Sequence, residues 1–149
     1  MFPDSRRGRV DLLLVLSLVL LPWSVLTYGN VGEGFTTLLF AWGLVDPATG
    51  EVTWIYGFLA HTRGLPNWIL AWPVGVLCLA AAFASTAVGR ARGRDGDAPT
   101  AALLALVGVA VFSVSWGFSA QPGRTGLPVG TVLAWVAGAR YWLRSRRTR

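Results

Sequence analysis

Apolar residues collect in four long runs along this chain, at about 10–28, 68–89, 100–120 and 127–143, and no charged side chain lies in the middle of any of them. A helix rises about 1.5 Å per residue, so about 20 apolar residues cross the roughly 30 Å hydrocarbon core of a bilayer. The pattern predicts four transmembrane helices in a single domain over residues 1–149. The fold class that we expect is therefore an all-α integral membrane protein.

A segment of intermediate character, residues 30–66, separates the first two runs. The stretch from Phe35 to Val45 is too short to cross a bilayer and too apolar for a free loop, so we expect it in the membrane interface or in a shallow re-entrant loop. DPATGE, which follows, is turn sequence. Residues 52–64 can form a short interfacial helix with four apolar residues on one side: Trp54, Ile55, Phe58 and Leu59. The prediction is a long, partly helical external loop that caps the outer end of the helices.

The first run has a second interpretation, as a secretory signal, because Arg6, Arg7 and Arg9 precede it. The residues that follow the arginine pair depart from a twin-arginine signal, and no small-x-small cleavage site follows Tyr28. We therefore expect an uncleaved anchor.

The distribution of charge gives the predicted helices an orientation. All 13 basic residues are arginines: three precede the first run, three lie between the second and third, and five extend from Arg140 to the end. Only Arg63 and Arg124 lie on the opposite side, so the excess of positive charge predicts that both termini are cytoplasmic. Arg140 and Arg144 can reach the headgroups from the end of the fourth helix. Membrane topology thus explains the net charge of +6, which does not indicate nucleic-acid binding.

Small residues recur at four-residue spacing in two of the predicted helices. The rows are Ala81, Ser85 and Gly89 in the second helix and Gly130, Ala134 and Gly138 in the fourth. Such rows let helix backbones approach closely in a membrane. We expect both rows to be contact faces, either within the chain or between copies of it.

Side chains capable of chemistry are few, and they collect on the predicted outer side: Glu33, Asp46, His61, Arg63 and Arg124. Carboxylates and an imidazole could hold a divalent ion or transfer protons, but their spacing matches no metal motif. Ion pairs that fix the cap to the helices explain the same residues. A single histidine and the uncharged centres of the runs disfavour a haem pair and an ion-coupled transporter. We therefore expect no cofactor, no metal and no catalytic residue.

Four strings occur in order around the predicted spans: FAWGLV, HTRGLP, AWPVG and GRTGLPVG. Together, over about Leu21 to Trp142, they resemble an uncharacterised family of small four-helix, multi-pass membrane proteins of halophilic archaea. The resemblance implies a membrane location and carries no assigned reaction.

These observations favour a non-enzymatic accessory or scaffolding subunit of the cell membrane, with lipids and other membrane proteins or copies of itself as partners. The alternative is a small channel, carrier or lipid-handling protein whose specificity is set by the polar outer cap. An enzyme with an external active site around Glu33, Asp46 and His61 has the least support.

Overall fold

The computed structural model of the protein describes residues 5–29, 34–92 and 97–147. The helices in these ranges are α1 (Ser5–Leu20), α2 (Ile55–His61), α3 (Ala71–Ala91), α4 (Asp97–Ser119) and α5 (Val129–Arg147), and a single 3-10 turn at Asn67–Leu70 leads into α3. The strands are β1 (Ser24–Tyr28), β2 (Phe35–Leu39), β3 (Gly43–Val45), β4 (Val52–Trp54) and β5 (Arg124–Leu127). The architecture is a mixed α/β fold, with a helical layer that carries one sheet.

The prediction of an all-α, multi-pass four-helix bundle is wrong. The five strands form one antiparallel sheet in the order β4-β3-β2-β1-β5. Three of them come from the segment predicted as a partly helical cap, and among the described residues of that segment, 34–66, only Ile55–His61 is α-helical. Total hydropathy does not distinguish an interfacial helix from a half-buried strand, and the β-branched pair Thr36 and Thr37 favours the strand.

The first apolar run does not form one helix, because Pro22 divides it. A proline has no backbone N–H and disfavours the helical conformation of the residue before it, so α1 ends at Leu20. The chain then continues as β1, whose side chains alternate in burial, with Ser24 and Leu26 buried. The 16 residues of α1 extend about 24 Å, less than the thickness of a bilayer core.

Three pairings of consecutive strands, β1 with β2, β2 with β3 and β3 with β4, and one long-range pairing order the sheet. In the β3–β4 turn the Asp46 carboxylate accepts the N–H groups of Ala48 at 2.8 Å and Thr49 at 3.4 Å, which is an Asx-turn. At the other edge, β5 pairs with β1 in antiparallel register, with Val25 opposite Leu127. The last third of the chain therefore completes a sheet that the first third begins.

Two helices among the described residues are long and apolar enough to cross a membrane, by length and composition alone. They are Asn67–Gly89, which includes the 3-10 turn and most of α3, and Asp97–Ser119, which is α4. Fewer helices meet this criterion than the four that we predict from sequence, because α1 is short and the last turn of α5 carries Arg144, Arg146 and Arg147.

Three tryptophans join the sheet to the helices. The indole N–H of Trp23 donates to the carbonyl of Leu18 at 2.6 Å, and that of Trp42 donates to Val19 at 3.0 Å, so both bind the end of α1. Trp72, at the start of α3, donates to the carbonyl of Phe40 at 2.9 Å. Trp23 and Trp72 are fully buried, so large apolar rings fill the junction while their polar edges are satisfied.

The small-residue row of α5 lies against other parts of the same chain. A Cβ on Gly130 would stand 2.8 Å from the Cα of Trp23, and one on Gly138 would stand 3.3 Å from the carbonyl oxygen of Ala101. Ala134, between them, is fully buried. The row of α3 is divided, because Gly89 is buried whereas Ala81 is exposed and Ser85 is half-buried.

Candidate functional site

The outer polar residues that the structure describes do not form one site. Asp46 is held in its turn, and His61 Nδ1 lies 2.8 Å from the carbonyl of Gly57, four residues earlier in α2. Arg63 is exposed between α2 and the 3-10 turn, and Glu33 lies outside the described residues. The β3–β4 turn and β5, which begins at Arg124, lie at opposite edges of the sheet. Within 5–29, 34–92 and 97–147, no three His, Cys, Asp or Glu residues are grouped to hold a metal ion.

Arg124 is the member of that set with a distinctive environment. Its guanidinium lies 5.5 Å from the ring centroid of Tyr28 and equally far from that of Phe118. Tyr28 also stacks on Phe35, with ring centroids 4.5 Å apart. Burial raises the pKa of the Tyr28 hydroxyl above its ordinary value, and the positive charge of Arg124 opposes part of that rise. The Arg124 cation is therefore held on aromatic faces, and no ion pair with a described carboxylate neutralises it.

An aromatic groove opens on the surface between the 3-10 turn and α4, and we define it by Trp68, Phe112, Ser113, Trp116 and Gly117. Its volume is about 440 Å³, within the range of small-molecule pockets. The indole of Trp68 lies over Gly117, where any Cβ would overlap it. Phe112 and Trp116 stack along α4 with centroids 6.0 Å apart.

The aromatic groove and Arg124 are joined through one ring. Phe118 contacts Trp68 edge to face, with centroids 6.4 Å apart, and Arg124 lies over the same Phe118 ring. Phe118 itself is buried and does not line the groove, so no described contact joins Arg124 to the groove directly. In the sequence, the signal for the groove is the four-residue spacing of Phe112 and Trp116, which places both on one face of a helix.

A different arrangement of arginines occupies the opposite end of the helices, which we call the far end; the end that carries the sheet is the sheet end. Asp11 of α1 is fully buried, and Arg140 Nε donates to its Oδ1 at 3.0 Å while Arg144 Nη2 donates to its Oδ2. Arg144 Nε also lies 3.7 Å from Oδ2 of Asp97 at the start of α4. This far-end ion cluster ties α1, α4 and α5 together.

The sequence-based expectation that Arg140 and Arg144 can reach headgroups did not include Asp11, which both side chains bind. Burial opposes the charge on Arg144, but the hydrogen bond and charge of Asp11, with smaller effects of Asp97 and Tyr141, raise the pKa of the guanidinium above its ordinary value. The signal in the sequence is a lone carboxylate at the start of an apolar run and two arginines four positions apart.

The serine hydroxyls near the sheet end are engaged in structural hydrogen bonds. Ser24 and Ser115 share a hydrogen bond of 2.7 Å between their Oγ atoms, and Ser115 also lies 3.1 Å from the carbonyl of Val111. Ser113 donates to Val109 at 2.8 Å, and Ser119 accepts the N–H of Gly126 at 2.8 Å. These serines join β1, β5 and α4, which is a packing function.

Comparison with known proteins gives a family and no reaction. A search of curated proteins found no match to the chain. The profile of a family described as a domain of unknown function (DUF8050) matches residues 2–149. Because that match covers nearly the whole sequence, the protein belongs to the DUF8050 family.

Proposed function

We propose that this protein is a non-enzymatic accessory or scaffolding subunit of the cell membrane, in which the hairpin of α3 and α4 enters the bilayer and the sheet lies on its outer surface. The observation that carries the proposal is the apolar exterior of this hairpin. Large apolar side chains are exposed along both helices, among them Val74, Leu77, Leu106, Val109 and Trp116. Soluble proteins seldom expose contiguous apolar surface of this extent, whereas lipid solvates it.

The alternative explanation of two apolar helices is the buried core of a soluble protein. Only 28% of the apolar stretch in Asn67–Gly89 is buried inside the chain, and 50% of that in Asp97–Ser119. A core helix would be mostly buried, so the exposed fraction favours contact with lipid. Exposed Leu13 and Leu20 on α1 and Val132 and Val136 on α5 extend the apolar surface beside the hairpin.

The sheet topology agrees with a hairpin that crosses twice. Strands β1 to β4 precede the two apolar helices, and β5 follows them and pairs directly with β1. A chain that crosses a bilayer an even number of times returns to the side from which it started. Two crossings by α3 and α4 therefore keep the whole sheet on one side of the membrane.

The arginines orient the hairpin. Exposed Arg92, Arg146 and Arg147 lie at the far end, where α3 and α5 finish. Because short cytoplasmic segments are enriched in Lys and Arg, the far end of the hairpin faces the cytoplasm in this proposal, and the sheet faces outwards.

The test combines membrane extraction with accessibility labelling. Cys78 is the only cysteine in the sequence, so Cys78→Ser provides a background on which Thr49→Cys in the β3–β4 turn and Arg92→Cys after α3 can each be labelled. We expect the protein to stay in the membrane pellet after an alkaline wash. An impermeant maleimide should label the Thr49 variant in intact cells and the Arg92 variant only after lysis.

Release of the protein by the alkaline wash, or equal labelling of both variants in intact cells, would contradict membrane insertion of the hairpin. Labelling of both variants after lysis is the control for thiol reactivity. The accessory role has its own test, which is purification of the tagged chain in mild detergent. A stoichiometric partner protein supports that role, and a chain that elutes without one contradicts it.

A further inference from the structure

We propose that the exposed face of α5 binds acidic phospholipids in the leaflet nearest the far end, with acyl chains along its apolar residues and headgroups on Arg146 and Arg147. The inference rests on the proposed membrane insertion of α3 and α4, and it names the class of lipid that the far end recruits. It goes beyond that proposal because α5 is not one of the two described helices that are long and apolar enough to cross a membrane.

A single stripe of exposed side chains runs along α5. Its members follow one another in steps of three or four residues, which keeps them on one face of the helix: Val132, Val136, Ala139, Leu143 and Arg146. The opposite face, with Ala134, Ala137 and Tyr141, is buried against the rest of the chain. Trp142 and Arg147 flank the stripe, and both are exposed. The stripe therefore changes once along the helix, from apolar to cationic.

Contacts with α4 fix the depth of this stripe. Thr131 donates to the carbonyl of Gly108 at 3.0 Å, and Arg144 Nε lies 3.7 Å from the carboxylate of Asp97. The apolar part of α5 therefore runs beside residues 97–108 of α4, over which a helix rises about 17 Å. One leaflet supplies about 15 Å of hydrocarbon, which is half of the bilayer core. In an inserted hairpin, the apolar part of the stripe would match the acyl region of one leaflet, and its arginine would lie at the headgroups.

Trp142 and Arg146 join the apolar and cationic parts by direct contact. The guanidinium lies 5.0 Å from the centroid of the indole, and Trp142 is 48% exposed. Tryptophan is favoured at the boundary between acyl chains and headgroups. The ring holds the cation beside it without neutralising its charge, and a guanidinium recognises phosphate through paired N–H donors. Ring and cation together suit the level of the lipid phosphates.

The outward-facing charge of the far end favours acidic lipids. Its described carboxylates, Asp11 and Asp97, both lie against Arg144, and their side chains are only 1% and 14% exposed. Arg146 and Arg147 are exposed and make no ion pair with a described carboxylate. A second copy in the same membrane orientation would bring like charges together, whereas an acidic headgroup supplies the opposite charge. A soluble acidic partner would leave the apolar part of the stripe uncovered.

The test uses the full chain in phosphatidylcholine nanodiscs that contain brominated phosphatidylglycerol or brominated phosphatidylcholine at equal mole fraction. Bromine quenches nearby tryptophan fluorescence, and comparison with Trp142→Phe isolates the signal of Trp142. We expect phosphatidylglycerol to quench this signal about fivefold more effectively. Arg146→Gln with Arg147→Gln should bring the two lipids to within about twofold of each other. The matched control removes two exposed arginines elsewhere, Arg63→Gln with Arg124→Gln, and should leave the preference unchanged.

Equal quenching by the two lipids, or an unchanged preference in the Arg146 and Arg147 double variant, would overturn the acidic-lipid face even if the protein resists the alkaline wash. A preference that depends on both arginines, in a protein that the wash releases, would support this face and contradict the inserted hairpin. Absence of Trp142 quenching by either lipid, with disulfide crosslinking of Leu143→Cys on the Cys78→Ser background, would identify a second copy on this face and overturn the proposal.

Discussion

The two ends of the helical layer use arginine in opposite ways. At the far end, Arg140 and Arg144 form ion pairs with Asp11, whose side chain is fully buried. These ion pairs help to hold α1, α4 and α5 together. At the sheet end, Arg124 rests on two aromatic rings and pairs with no described carboxylate. The comparison teaches that the same residue type ties helices together where a buried counter-charge meets it and makes only weak surface contacts where aromatic rings alone support it.

The largest expected effect comes from removing both arginines of the far-end ion cluster. Arg140→Gln with Arg144→Gln leaves the Asp11 carboxylate buried without a counter-charge, which should lower the free energy of unfolding by about 3–5 kcal/mol. Thermal or denaturant unfolding in detergent measures it. The control is Arg146→Gln, since Arg146 lies 5.0 Å from the Trp142 ring and makes no ion pair with Asp11. Addition of Asp11→Asn to the double variant should restore part of the loss; no recovery would contradict the ion-pair explanation.

An intermediate effect is expected at Gly130, where α5 approaches the backbone of Trp23 closely at the sheet end. Gly130→Ala would place a methyl group 2.8 Å from the Cα of Trp23, and the resulting strain should cost about 1–3 kcal/mol in the free energy of unfolding. Gly57→Ala is the matched control, because a Cβ there meets nothing within 4 Å and the position is helical. The control should be neutral or stabilising by up to about 1 kcal/mol. Equal destabilisation of the two variants would show that the close approach to Trp23 is not what requires Gly130.

The smallest effect should come from Arg124→Gln, which makes the comparison between the two ends direct. Loss of an exposed cation–π contact should lower the free energy of unfolding by about 0.5–1 kcal/mol. The same change should raise the pKa of Tyr28 further, because the charge of Arg124 opposes the effect of burial. A titration of tyrosinate absorbance, with Tyr28→Phe as the reference for the other two tyrosines, measures that shift. A loss of stability as large as that of the double arginine variant would remove the distinction between the two ends.

The sign of the pH dependence follows from the same group. The unfolded chain releases the Tyr28 proton near pH 10, whereas the folded chain holds it to higher pH. The stability that this group contributes is present below about pH 10 and is lost as the pH rises towards the folded pKa. Tyr28→Phe should flatten that alkaline loss.

Parts of the fold could be predicted from local pattern. Long apolar stretches predict helices near 68–89 and 100–120, and the structure has helices there, at Ala71–Ala91 and Asp97–Ser119. Hydropathy locates these two helices because nearly every residue of each stretch is apolar, so the average over the stretch is high. Whether they cross a membrane stays a prediction, as do the archaeal origin and the partners expected from sequence.

The sheet could not be predicted in the same way. Hydropathy treats the apolar residues of β1 and β2 like those of a helix, and it extends the predicted first span over 10–28, past Pro22, although α1 ends at Leu20. The pairing of Val25 with Leu127 joins residues far apart in sequence and leaves no local trace. Long-range contact also explains why the partnership of Asp11 with Arg140 and Arg144 was missed.

Because β1 is paired on both sides, by β2 and by β5, it remains an open edge until the ribosome has added the residues up to Leu127. The carbonyl of Trp23, just before β1, also accepts the N–H of Gly130 at 2.8 Å. The segment that is synthesised last therefore binds this part of the chain at two places, through β5 and through Gly130. A nascent chain that ends before β5 therefore carries β1 with one open edge beside an apolar hairpin, a state prone to wrong pairing with a neighbour. Synthesis of the last helix is thus the step that protects the first strand.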